Sequence, residues 1–176
     1  GDYGKAQKIA LSKHYLFSRC VRESVALLKS CGIPVVVAPG EAEAQCALMQ
    51  KKGIVDFAVS TDYDAILYGA TSIVRSITFQ TRKKVKGKWK TAQPKAKFVD
   101  VPANLKRLNL SRTDLVEMSF LLGNDYFEGI PNVGPVTARK SIETYGTIPA
   151  MKKAHPRLFR DLHHSVYRKV RGEFLR

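Results

Sequence analysis

Five carboxylates recur in three short motifs: Glu41 and Glu43 in APGEAEAQ, Asp62 and Asp64 in STDYDA, and Asp125 in LLGNDY. They make up a third of the 15 acidic residues, which stand against 30 Lys and Arg. Oxygen donors of this kind suit Mg²⁺ or Mn²⁺, hard ions that keep several waters and need few protein ligands. Two such ions about 4 Å apart can activate a water and stabilise the leaving oxygen of a phosphodiester. An acidic knot on a basic chain therefore implies metal ions beside a polyanion, the arrangement of a metal-dependent nuclease.

The flanking pattern says how these acids are positioned. Residues 6–31 have helical apolar spacing, closed by Cys31-Gly32-Ile33-Pro34. Val35, Val36 and Val37 predict a strand buried on both faces. Pro39-Gly40 turns the chain into a helix over Glu41–Lys52, stopped by Gly53, and further strands are predicted over Ile54–Ser60 and Ile73–Phe79. Strand, helix, strand in this order predicts an α/β fold with a mostly parallel sheet flanked by helices. Ligands gather at the carboxyl ends of such strands, so both acid pairs are expected at one sheet edge. Taken singly, Glu41 and Glu43 would also suit a helix N-terminus, Asp62 a cap and Asp125 a turn. Two pairs, each just past an apolar strand, favour the metal reading.

Downstream, residues 80–97 form an expected exposed loop or hairpin. Eight of these are Lys or Arg, Lys84, Lys86 and Lys88 among them, with a lone Trp89 and no acid. Phe98–Val101 reads as a short strand, and Ser111 with Asp114 as a capping box opening a helix to Leu122. Gly129-Ile130-Pro-Asn-Val133-Gly134 joins two helices, the second beginning at Pro135 and running to about Tyr145. Glycines let the backbone approach a partner, and N–H groups opening a helix favour phosphate, with Arg139 and Lys140 one turn on. A basic helix over His155–Phe174 is expected last.

A formal charge of +15 on 176 residues points to a phosphate-rich partner. No apolar run reaches the roughly 18 residues that span a bilayer, so no membrane partner is expected. Cys20, Cys31 and Cys46 lack metal-ligand spacing and read as free thiols of a reducing compartment. The expected location is intracellular: the nucleus in a eukaryote, otherwise the cytoplasm. His14, His155, His163 and His164 read as surface residues. Tyr63 and Tyr126, beside the acids, suit either base stacking or core filling.

APGEAEAQC, STDYDAILYG and LLGNDYFEGIPNVGPVTA, in that order, resemble the internal nuclease region and helix-hairpin corner of the flap endonuclease/XPG family. The resemblance runs from about Val21 to Gly146. It implies a PIN-like α/β fold, with residues 1–110 an internal nuclease domain carrying a basic insertion at 80–97. Residues 111–176 would then be a helix-hairpin DNA-binding subdomain with a basic tail. It implies that Glu41, Glu43, Asp62, Asp64 and Asp125 bind two divalent metals, Mg²⁺ or Mn²⁺. It also implies that Gly129, Ile130, Val133 and Gly134 grip duplex DNA, with K⁺ held by backbone carbonyls of that loop. The implied activity is Mg²⁺-dependent, structure-specific endonucleolytic cleavage of branched or flapped DNA in replication or repair.

The family's amino-terminal region, with two further acids and positioning Lys/Arg, has no counterpart here, and Asp2 is not equated with either acid. Nor is the family's sliding-clamp-binding tail evident. A separate amino-terminal nuclease half is thus a candidate partner. Two rival readings stay open: a non-catalytic DNA-binding fragment or paralogue, and a PIN-like ribonuclease, which has no need of the glycine corner.

Overall fold

The structure, a computed structural model, describes residues 3–75, 77, 81–85, 87–92 and 95–175. Of residues 3–15, 81–85, 90 and 92 it describes the backbone alone. The chain divides into two compact units, Gly1–Pro39 and Gly40–Arg176.

The first unit is one long helix, α1 (Tyr3–Ser30), and an extended exit. The helix closes where the Ile33 N–H bonds the Leu28 carbonyl at 2.9 Å and the Gly32 N–H bonds Lys29 at 3.0 Å. This crossed pair satisfies carbonyls the helix leaves open. The strand expected at Val35–Val37 does not form. These residues belong to no ladder among the described residues, and Val37 is 85% exposed. β-branched side chains bias a backbone towards extension, but a strand exists only when a neighbour accepts its hydrogen bonds.

The second unit holds the remaining elements. A mixed three-stranded sheet is built from β1 (Ala58–Val59), β2 (Ser72–Arg75) and β5 (Lys97–Asp100) in the order β1-β2-β5. β1 and β2 are parallel, and β2 and β5 antiparallel, so the sheet is smaller and less uniformly parallel than the sequence pattern suggests. The parallel crossover runs through α3 (Asp64–Leu67) rather than α2 (Ala42–Lys51). One face of the sheet buries Ala58 and Ile73 with Ala47 of α2 and Ala65 of α3. Gln50, also buried, pins α2 to that face. Its amide donates to the Asp56 carbonyl (2.9 Å) and the Ser72 hydroxyl (2.6 Å), and its oxygen accepts from the Thr71 N–H at 2.9 Å. The other face is bare and apolar: Phe57, Val59 and Phe98 are 47%, 48% and 63% exposed, with the two Phe rings edge to face.

Between β2 and β5 the chain makes a two-stranded hairpin, β3 (Thr81–Val85) with β4 (Lys88–Ala92), in which Lys84 stands opposite Trp89. The far end of the predicted Ile73–Phe79 strand lies outside the described residues. α4 (Val101–Leu108) follows β5 directly, with Asp100 capping it through the Ala103 N–H at 2.9 Å.

The larger core lies among α5 (Arg112–Leu122), α6 (Pro135–Tyr145), α7 (Ile148–Ala154) and α8 (His164–Leu175). The capping box at Ser111 and Asp114 forms as expected, and α6 begins at Pro135. The single helix expected over 155–174 is instead a 3-10 turn at Pro156–Phe159 followed by α8, with α7 a separate helix just before it. At the centre stands Glu117, 0% exposed. It accepts from the Arg171 Nε (2.7 Å), the Tyr167 hydroxyl (2.8 Å) and the Ile148 N–H at the start of α7 (3.0 Å). One buried carboxylate thus joins α5, α7 and α8.

Glu117→Ala would strand a guanidinium, a phenol and an N–H without their acceptor. A stability loss of about 3–5 kcal/mol is expected, read as a lower midpoint in urea.

Candidate metal and nucleic-acid site

The parallel pairing of β1 with β2 sets their carboxyl ends at one edge of the sheet. Asp62 and Asp64 follow β1 there. Asp62 shapes the turn by accepting from the Tyr63 N–H at 2.6 Å, while its own N–H bonds the Ser60 hydroxyl at 3.0 Å. Asp64 opens α3. Glu41 is the N-cap of α2 and Glu43 lies in its first turn, and no side chain caps that helix. Arg75, at the carboxyl end of β2, braces the loop: its guanidinium donates to the Thr61 carbonyl and lies 4.0 Å from the centre of the Tyr63 ring.

Asp125 arrives from the other core, in a loop just past α5. The loop is tied by Asn124, whose amide oxygen accepts from the Tyr126 and Phe127 N–H groups at 3.0 and 3.1 Å. Its amide nitrogen donates to the Ser119 hydroxyl at 3.2 Å. Beneath it, the Gly129 and Gly123 backbones touch. A Cβ on Gly129 would sit 2.6 Å from the Gly123 nitrogen, and φ there is +88°. The glycine corner is therefore packed hard against the turn carrying Asp125.

The five acids act on one another. The Asp64 carboxyl is pushed above its ordinary 3.8, first by burial, then by Asp62, Asp125, Glu43 and Glu41 in that order. Like charges gathered this way favour a divalent cation, and the donors are all oxygen, as Mg²⁺ or Mn²⁺ prefers. Among the described residues no three acids are close enough together to enclose an ion. The fit is of charge and donor type, in an open cluster.

The glycine corner shares a cavity of about 480 Å³ with Asp125, lined by residues 124–131, Leu158 and Asp161. Ile130 is buried and Val133 half-buried against the helical core, while Gly134 caps α6 with no side-chain bond. Lys140 is exposed. Arg139 is engaged within the fold, donating to Glu143 at 2.8 Å and to the Leu108 carbonyl at 2.9 Å. Lys88 is exposed on the hairpin; Lys86 and the side chain of Lys84 lie outside the described residues. Tyr68 and Arg75 also stand at the site, although neither was among the expected site residues; Tyr68 lies within STDYDAILYG. Tyr68 had a signal, lying four residues past Asp64 and so one helical turn away. Arg75 had none.

The XPG I-region family model matches residues 32–125, a span that holds all five acids. The chain belongs to the flap endonuclease/XPG family. Flap endonuclease 1 of Nanoarchaeum equitans is 38% identical over 146 residues, covering 83% of this chain and 43% of the relative. That of Caldivirga maquilingensis is 40% identical over 150 residues, covering 84% and 43%. In structure the chain resembles flap endonuclease-1 from Methanococcus jannaschii, with a TM-score of 0.75, 30% identity, and 98% and 49% coverage. Human GEN1 in complex with Holliday junction DNA gives a TM-score of 0.65 and 28% identity, covering 96% and 46%. The α/β fold is thus that of these nucleases. The chain spans about 43% of the length of the curated relatives it matches.

Because its folded-state carboxyl titrates higher than the unfolded one, Asp64 contributes stability that is present below 3.8 and is lost as pH rises through the raised value. At neutral pH, Asp64→Asn should raise the metal-free melting temperature by roughly 1–2 °C. The variant should also lose most of the wild-type rise on adding Mg²⁺, measured by scanning fluorimetry.

Proposed function

We propose that the chain is the internal nuclease portion of a structure-specific, divalent-metal-dependent DNA endonuclease acting at single-strand/double-strand junctions in replication or repair. The observation that carries this reading is the placement of Asp62 and Asp64 at the carboxyl end of β1 and of Asp125 beside the glycine corner, all three acids within the span that matches the family model. Glu41, Glu43, Asp62, Asp64 and Asp125 would hold the ions, Mg²⁺ or Mn²⁺ and two in number. Bound there, they would supply an activated water and charge stabilisation for phosphodiester hydrolysis. Residues up to 110 carry four of the five acids, and 111–176 carry Asp125 and the duplex-gripping corner. Gly129, Ile130, Val133 and Gly134 meet the duplex backbone, with K⁺ on the loop carbonyls, and Lys140 strengthens the contact. Arg139 shapes the corner through Glu143 and Leu108 while facing the same partner. The hairpin, with Lys84, Lys86, Lys88 and the 68%-exposed Trp89, is a further DNA-binding arm. Such a protein works inside the cell, in the nucleus of a eukaryote or otherwise in the cytoplasm.

A second reading has its own support. The exposed apolar sheet face of Phe57, Val59 and Phe98, and the open acid cluster, suit a chain that binds DNA but cuts only with a separate amino-terminal half. A ribonuclease has less support, because the glycine corner suits duplex gripping.

A labelled 5′-flap duplex in Mn²⁺ or in EDTA separates these readings. Junction cleavage that needs Mn²⁺ and falls about 100-fold or more in Asp62→Ala supports the nuclease. Flap binding without cleavage moves the proposal to the incomplete unit. No preference for flapped over single-stranded RNA or DNA would contradict both. Replacing Lys84, Lys86 and Lys88 together by Ala should lower the log–log salt slope of flap binding by about 2–3, measured by fluorescence anisotropy.

A further inference from the structure

We propose that Tyr68 is a positioning residue: its hydroxyl, bonded to that of Tyr126, fixes the Asp125 loop against the helix that carries Asp64. The inference rests on the metal-site reading above and goes beyond it, because it concerns how acids from two separate cores are held together. Tyr68 caps α3, and its N–H bonds the Asp64 carbonyl at 3.2 Å, so its backbone is tied to that of the acid. Tyr126 directly follows Asp125. The two hydroxyls are 3.0 Å apart across 58 residues of sequence.

Both rings rest on Phe174 of α8, which is 1% exposed. Its centroid lies 4.9 Å from that of Tyr68 and 5.9 Å from that of Tyr126. Phe174 therefore supports each ring from below, while the hydroxyl pair joins them along the site. Other polar ties of the Asp125 loop run back to its own helix. Asn124 bonds Ser119, and the Ile130 N–H bonds the Leu121 carbonyl at 2.9 Å. Those ties shape the loop without aligning it to α3. A phenylalanine at position 68 would fill the same space and keep the apolar packing of α3 on α5, removing only the hydroxyl that reaches the Asp125 loop.

The test is Mn²⁺ affinity of the whole chain, read from free Mn²⁺ by electron paramagnetic resonance, with melting temperature recorded alongside. Wild type, Tyr68→Phe, Asp125→Ala and the double variant are compared. Tyr68→Phe should weaken binding about 10-fold with little change in melting temperature, and should add nothing once Asp125 is Ala. Tyr126→Phe breaks the same bond from the other side and should give the same loss, with Tyr68→Phe/Tyr126→Phe no worse than either alone. Wild-type affinity in both single phenol variants would overturn the positioning role and leave the metal site standing. So would an equal loss in the Asp125→Ala background. A wild type that binds no Mn²⁺ would overturn the metal-site reading and this proposal with it.

Discussion

Holding like charges together is the constraint on which the site depends. Five carboxylates repel one another, and burial of Asp64, reinforced by the charges of the other four, pushes its carboxyl above the ordinary range. Water and dissolved salt soften that repulsion without removing it. The acids must therefore be fixed by the scaffold rather than by one another. Gln50 does this for α2 and β2 from inside the small core, Arg75 for the Ser60–Tyr63 turn, and Asn124 for the Asp125 loop. Glu117 secures α7 and α8 onto α5, and so keeps Phe174 under the site.

This economy explains why the chain carries its polar anchors where it does. Gln50 and Glu117 are buried polar groups with their bonding satisfied, each joining elements distant in sequence. A buried group of this kind is costly alone and specific when paired. The glycines at 123 and 129 work differently, letting two backbones touch where any side chain would separate Asp125 from the corner below it.

Local chemistry was legible. The capping box at Ser111 and Asp114, the Pro135 helix start and the closure of α1 past Cys31 are all short-range signals, and all stand in the structure. The three acid motifs carried the family resemblance, and the match over residues 32–125 with the fold of the solved relatives agrees with it. Pairing was not legible. Val35–Val37 has the composition of a strand but no ladder partner among the described residues, while Ile54–Ser60 supplies only two ladder residues. α4 was missed although Asp100 as its cap and Pro102 near its start are both helix-opening signals. The basic tail read as one helix, but the structure divides it into the turn at Pro156–Phe159, where Phe159 is buried, and α8. Tyr68 and Arg75 act through partners that no local pattern names.

If the five carboxylates act as one electrostatic unit, a divalent cation bound by any of them is felt by the others. Carbon-13 NMR titration of the side-chain carboxyls, with and without Mg²⁺, tests it most directly. Asp64 should titrate above 3.8 without metal and move down when Mg²⁺ is added, with the Asp62 and Asp125 resonances shifting together. An Asp64 that titrates at its ordinary value and ignores Mg²⁺ would contradict it.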